Sequence, residues 1–233
     1  MCGRFSLNQT GEDLAAAFHL KAVPPVAPRY NVAPTQPVAT VVATPEQPEP
    51  HFHLLQWGLV PSWAKDAAIG SRMINARAET VAEKPSFRAA FKRRRCLILA
   101  DGFYEWQRQG DGQPKQPHYI FLKDHQPFAF AGLWEHWHDP VSGGELQTCT
   151  ILTTDPNELM EPIHNRMPVI LPAEDYATWL DPSYYQPQTL QAMLRPYEAE
   201  AMERYPVSKA VNKPQHDAPD CIEPLAAEDS DLG

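Results

Sequence analysis

Short apolar runs, rich in β-branched and aromatic residues and bounded by turn residues, recur through the middle of the chain. Residues 38–43, 52–57, 96–106, 118–123, 128–134, 147–153 and 168–171 have this form and predict strands. The run at 96–106 contains the turn dipeptide Asp101-Gly102, so a break is expected there. Helical spacing is shorter and rarer. Thr10-Gly11-Glu12-Asp13 has the form of a capping box, with Leu14, Ala17 and Phe18 on one face of a helix that runs to about Leu20. Helices are also predicted over 85–94, 172–180 and 187–194, each opened by a proline where a helix tolerates one. Pro24, Pro25 and Pro28 make 21–30 a loop. Strands dominate, and the helices are inserted without a β-α-β rhythm. The expected class is therefore α+β, a single domain on a largely antiparallel, strongly bent, barrel-like sheet. Residues 1–224 are expected to form that domain, with 225–233 expected as an acidic, disordered tail.

Composition narrows this picture. The 25 prolines among 233 residues exclude a helical bundle, while 43% hydrophobic and 10% aromatic residues exclude a disordered chain. No run approaches the roughly 18 apolar residues of a membrane span. The N-terminus lacks the apolar stretch of a secretory signal, so a cytoplasmic protein is expected. The net charge of −9 argues against a polyanionic partner until its distribution is read. Six acids lie between His216 and Gly233, which leaves a net −3 on residues 1–215. Between Ser62 and Arg95 nine Lys or Arg face three acids, a local +6. Either that segment forms a basic surface, or Lys92 to Arg95 end a helix whose dipole favours cations.

Cys2, Cys96, Cys149 and Cys221 include no Cys-x-x-Cys pair. The pairs His51/His53 and His136/His138 have the spacing of one strand face but lack a third ligand of similar quality, so no metal site is expected. Cys96 and Cys149 lie in strand patterns and read as small core residues. Nothing apolar flanks Cys2. Removal of Met1 would leave an N-terminal 1,2-aminothiol, whose amine (pKa about 7.7–8) is far more available at neutral pH than a lysine. Such a group condenses with an aldehyde to a Schiff base, and the thiol then closes a thiazolidine. A frayed terminus with a chance cysteine is the alternative.

Four internal segments bear on that choice. Trp57 and Trp63 flank a turn, where an exposed indole can stack on a base or simply pack the loop. In Asn75-Ala76-Arg77-Ala78-Glu79 the polar residues leave one side of an extended chain. Glu105 sits amid Phe103, Tyr104 and Trp106, a setting that desolvates a general acid. Pro162 to Pro168 brings His164 beside Arg166.

Taken with Met1-Cys-Gly-Arg-Phe5, Tyr30-Asn-Val-Ala-Pro34, Trp57-Gly-Leu-Val-Pro-Ser-Trp63, Asp101-Gly-Phe-Tyr-Glu-Trp106, His164-Asn-Arg-Met-Pro168 and Val207-Ser-Lys-Ala-Val-Asn212, these segments resemble the bacterial type of the SRAP family. Members of that family process abasic sites by covalent attachment to DNA and are also classed as peptidases of the SOS response. The resemblance implies Cys2 as the cross-linking nucleophile, with Asn75, Glu105 and His164 completing the site. It also implies DNA contacts through Arg4, Trp63, Arg77, Thr153 and Arg166. The implied partner is single-stranded DNA carrying an abasic site, bound covalently by a monomer, with no cofactor, no metal and no membrane. An N-terminal cysteine hydrolase, an abasic-site lyase working through the same Schiff base, and a non-catalytic DNA-binding module are the competing readings.

Overall fold

The computed structural model describes residues 2–225. In chain order its strands and α-helices are β1 (Phe5–Leu7), α1 (Gly11–Ala17), β2 (Arg29–Val32), β3 (Pro37–Val42), β4 (His51–Trp57), β5 (Asn75–Arg77), α2 (Arg88–Arg93), β6 (Arg95–Ala100), β7 (Gly102–Gln107), β8 (Gln116–Leu122), β9 (Phe128–His138), β10 (Glu145–Thr154), β11 (Met167–Pro168), β12 (Ile170–Leu171), α3 (Tyr176–Leu180), α4 (Pro187–Ala192) and β13 (Met202–Pro206). β3 pairs antiparallel with β4 and β6, β6 with β9, and β9 with β10. β10 then returns to β4 in parallel, so five strands close a ring that leaves none of them an open edge. A second sheet runs in the order β13-β8-β7-β1-β2. The expected α+β class with a bent, barrel-like sheet is the one observed.

The break at Asp101-Gly102 moves the chain from ring to second sheet: β6 ends at Ala100 and β7 begins at Gly102. β6 is buried throughout. Cys96, Ile98 and Ala100 join a cluster with Phe5, Trp57, Phe103 and Phe130, between the two sheets. Leu97 and Leu99 join the opposite cluster, with Leu14, Phe91, Trp179 and Leu190 of the helices. Each such Leu or Phe contributes about 1.5–3 kcal/mol by burial. Cys96 and Cys149 are fully buried, as expected of small core residues.

α1 starts at the predicted capping box, in which Asp13 N–H donates to Thr10 Oγ1 at 3.2 Å and the Asp13 carboxylate accepts from Thr10 N–H at 3.3 Å. The other helices are shorter than predicted. In 172–180 a 3₁₀ turn over Ala173–Asp175 precedes α3. β1, β2 and β13 were not foreseen, and β2 begins inside the predicted loop. These strands have three to five residues, too few for a period, and are held by partners distant in the chain.

The basic run divides. Lys92 and Arg93 lie in the last turn of α2, where the dipole favours them. Arg94 pairs with Glu135, its Nε 2.9 Å from Oε1. Arg95 is 2% exposed and donates to the carbonyls of Phe91 (2.9 Å), Lys92 (2.8 Å), Trp179 (2.6 Å), Asp181 and Tyr184 (3.0 Å). It thereby ties the C-terminal ends of α2 and α3 together, and burial lowers its pKa to about 10. Of the two alternatives, the helix end describes Lys92 and Arg93, and a basic surface would lack Arg94 and Arg95. No helix among the described residues is long and apolar enough to cross a membrane. The expected tail falls almost wholly on 226–233, outside the described residues; Leu225 itself donates its N–H to Pro206 O at 2.9 Å.

Candidate active site

β1 lies between β2 and β7, pairing Phe5 with both Val32 and Phe103. Cys2, just before it, is fully buried in the cluster that holds Phe5, Val32, Trp57 and Phe103. The apolar surroundings missing from its sequence neighbourhood come from other strands. Tyr104 N–H donates to Arg4 O at 3.0 Å, and continuing that antiparallel register sets Glu105 across from Gly3, beside Cys2. Glu105 is 2% exposed. Burial first, and the Glu105 charge second, push the Cys2 thiol far above its ordinary range, so it stays protonated at neutral pH.

Asn75 arrives from the other side. β5 runs parallel to β10, Asn75 opposite Ile151, while Ala76 and Ala78 turn into the core. The Asn75 amide nitrogen donates to Cys2 O at 2.8 Å, and its buried Oδ1 accepts no hydrogen bond from the described residues. Two features hold β5's approach. Trp57 is fully buried and gives its indole N–H to Ile74 O at 2.8 Å. Gly58, at φ 128°, passes so close to Gly70 that a Cβ would fall 2.7 Å from Gly70 O. Of the two tryptophans at the turn, Trp57 is thus a packing residue, and Trp63, 59% exposed, lines a separate cleft with Lys65, Ile69 and Arg72.

His164 is half-buried in an open cleft of about 390 Å³, which it shares with Trp106, Arg108, Lys115 and Asn165. Gln107 ties this loop to β7 through Pro162 O at 3.2 Å. His164 Nδ1 faces the Arg166 backbone, 3.1 Å from its N–H and 3.2 Å from its carbonyl oxygen. Cys2, Asn75 and Glu105 therefore converge directly, and the strand that carries Glu105 connects them to the His164 cleft.

The expected DNA-contact residues fare unevenly. Arg77 is exposed. Arg166 is gripped by Glu79 (2.6 and 3.0 Å), Asp155 (3.0 Å) and Thr153 O (2.6 Å), so a phosphate would compete with two carboxylates. Arg4 donates to Asn31 Oδ1 (2.8 Å) and Val211 O (2.6 Å), and burial lowers its pKa. Thr153, expected at the DNA surface, is instead fully buried beneath β5, its hydroxyl 3.5 Å from Ala76 O. Residues not foreseen are Arg108 and Lys115, at the mouth of the His164 cleft, and Asn31, which organises Arg4. Two cations placed on either side of the β7–β8 turn were the available signal for the first two; a buried asparagine has none.

The architecture is that of a one-domain α+β protein with a buried cysteine at its second position, a carboxamide bonded to that residue's carbonyl and a buried carboxylate near its thiol. A family model described as SOS response associated peptidase (SRAP) matches residues 1–214, and the chain belongs to that family. It is 49% identical over 226 residues to the abasic site processing protein YoqW of Bacillus subtilis, covering 96% of this chain and 99% of the relative. It is 34% identical over 194 residues to the abasic site processing protein HMCES of Gallus gallus, covering 73% of this chain and 56% of that protein. A crystal structure of a protein from Bacteroides thetaiotaomicron superposes with TM-score 0.85 at 28% identity, covering 97% of this chain and all of the other.

Proposed function

We propose that this protein processes abasic sites in single-stranded DNA by linking itself to them through Cys2 once Met1 has been removed. The observation that carries the reading is the convergence on buried Cys2 of Asn75, whose amide nitrogen lies 2.8 Å from Cys2 O, and of buried Glu105, whose charge acts on the thiol. The names borne by the relatives support the same substrate. In this reading the Cys2 amine adds to the aldehyde of the ring-opened deoxyribose, and the carbinolamine loses water to give an imine. The thiol sulfur then bonds to the imine carbon while its proton passes to nitrogen, closing a thiazolidine. One water is released and no co-reactant is consumed. Asn75 orients the terminus, His164 assists opening of the sugar hemiacetal, and Glu105 relays the protons. Arg4, Arg77 and Arg166 meet flanking phosphates, and Trp63 supplies a stacking face.

Purified protein, its intact mass showing loss of Met1, is expected to form a heat-stable covalent adduct with an oligonucleotide carrying one abasic site. Cys2→Ala should form none. An adduct that survives in Cys2→Ala rules the mechanism out, and strand cleavage without adduct points to the lyase reading instead.

A further inference from the structure

The β9–β10 hairpin gathers side chains that the chemistry at Cys2 does not use. His136 and His138 leave one face of β9, while Trp137 between them turns away, buried with Val60 and Ala64 and donating its indole N–H to Ala64 O at 2.7 Å. The strand register sets Glu145 opposite His138 and Gln147 opposite His136. The Glu145 carboxylate lies between the two rings, 3.3 Å from His136 Nε2 and 3.4 Å from His138 Nδ1. One ligand atom from each of the three residues falls within 4.8 Å of the others. The His-x-His pair lacks a third ligand in the sequence, and strand pairing supplies one.

We propose that His136, His138 and Glu145 bind a divalent transition ion of the zinc type, with water at the remaining position. Two imidazoles and a carboxylate are a donor set that zinc accepts in open, three-ligand sites, and imidazole favours zinc, nickel or copper over calcium or magnesium. Tetrahedral bonds of about 2.0–2.1 Å put neighbouring ligand atoms about 3.3 Å apart. Each ring already stands at about that distance from one carboxylate oxygen, His136 from Oε2 and His138 from Oε1. The side chains are 35%, 62% and 63% exposed, so an ion enters without displacing backbone. All three stand on paired strands, not on the connecting turn. The neighbouring His53 is engaged by the Gln147 amide oxygen, which leaves three protein ligands for the ion. Glu145 precedes Ile151, the partner of Asn75, by six residues, about 20 Å along an extended strand. The ion would therefore brace the free end of the hairpin and take no part at Cys2.

The test uses full-chain Cys2→Ala protein, which lacks the aminothiol as a rival chelator, treated with EDTA and dialysed. Titrating zinc chloride by calorimetry should give one ion per chain, with affinity reduced about tenfold or more in His136→Gln and in His138→Gln. Cobalt(II) should give a visible absorption band in the parent that His138→Gln abolishes. Asp220→Asn, in the other three-ligand grouping with His216 and Cys221, should leave both readouts unchanged. Zinc should also raise the thermal midpoint of the parent and not that of His138→Gln. Failure to bind zinc at about 100 µM overturns the proposal. So does binding that both histidine variants retain, or that Asp220→Asn removes.

Discussion

Asn75 holds Cys2 by a single hydrogen bond, from its amide nitrogen to the Cys2 carbonyl. Asn75→Ala is expected to slow adduct formation about tenfold, the worth of one positioned hydrogen bond, while equilibrium stability moves by about 1 kcal/mol or less. Single-turnover kinetics beside a urea melt separate the two effects, and an unchanged rate would leave Asn75 with a packing role only. The sequence motifs brought Asn75, Glu105 and His164 into view, and the period of two put Asn75 and Arg77 on one side of their segment. The contact with Cys2 was not legible, because it spans 73 positions and rests on a three-residue strand. The fates of Trp57 and Trp63 were equally hidden. They flank one turn and read alike, yet one is buried and the other 59% exposed.

Among the elements, the Asp101-Gly102 break is the feature that sequence showed most plainly, and its packing explains the glycine. A Cβ on Gly102 would fall 2.1 Å from the Tyr119 ring. Tyr119 cannot give way easily, since its hydroxyl lies 2.9 Å from Ser6 Oγ and its ring packs on Tyr104 and Phe121. Gly102→Ala should therefore cost about 1–3 kcal/mol by urea denaturation and lower adduct yield as well, because β7 carries Glu105. Stability equal to the parent's would show that Tyr119 relaxes. Closure of the ring by the parallel β4–β10 pair was illegible for a different reason. Alternation marks a strand's faces and says nothing of its partners. Arg95 shows the converse limit: a run of four basic residues reads as a surface or a helix end, and neither reading discloses that two helix ends converge on its last member.

For the molecule as a whole, burial pushes the thiols of Cys2, Cys96 and Cys149 above their ordinary value of 9.0. The unfolded chain ionises near that value while the folded chain keeps its protons. The stability they contribute is full below about pH 9 and is lost as pH rises toward the raised folded values. Denaturation midpoints measured between about pH 8 and about pH 10 should fall, and Cys149→Ala should flatten the fall by removing one contribution. An identical slope in that variant would assign the loss to other groups, such as the buried tyrosines Tyr104 and Tyr119.

The seat of Cys2 just ahead of β1 also bears on how the protein is made. β1 takes its place against Phe103 of β7, and the ring needs β10, which ends at Thr154. At about 5–20 residues per second, the ribosome adds the hundred residues that separate β1 from β7 in about 5–20 s. For most of that interval the nascent terminus has β2 alone as a partner, on one edge. A thiol that ends in the core is therefore open to the cell's processing enzymes while the chain is still growing, which is when an initiator methionine would have to leave.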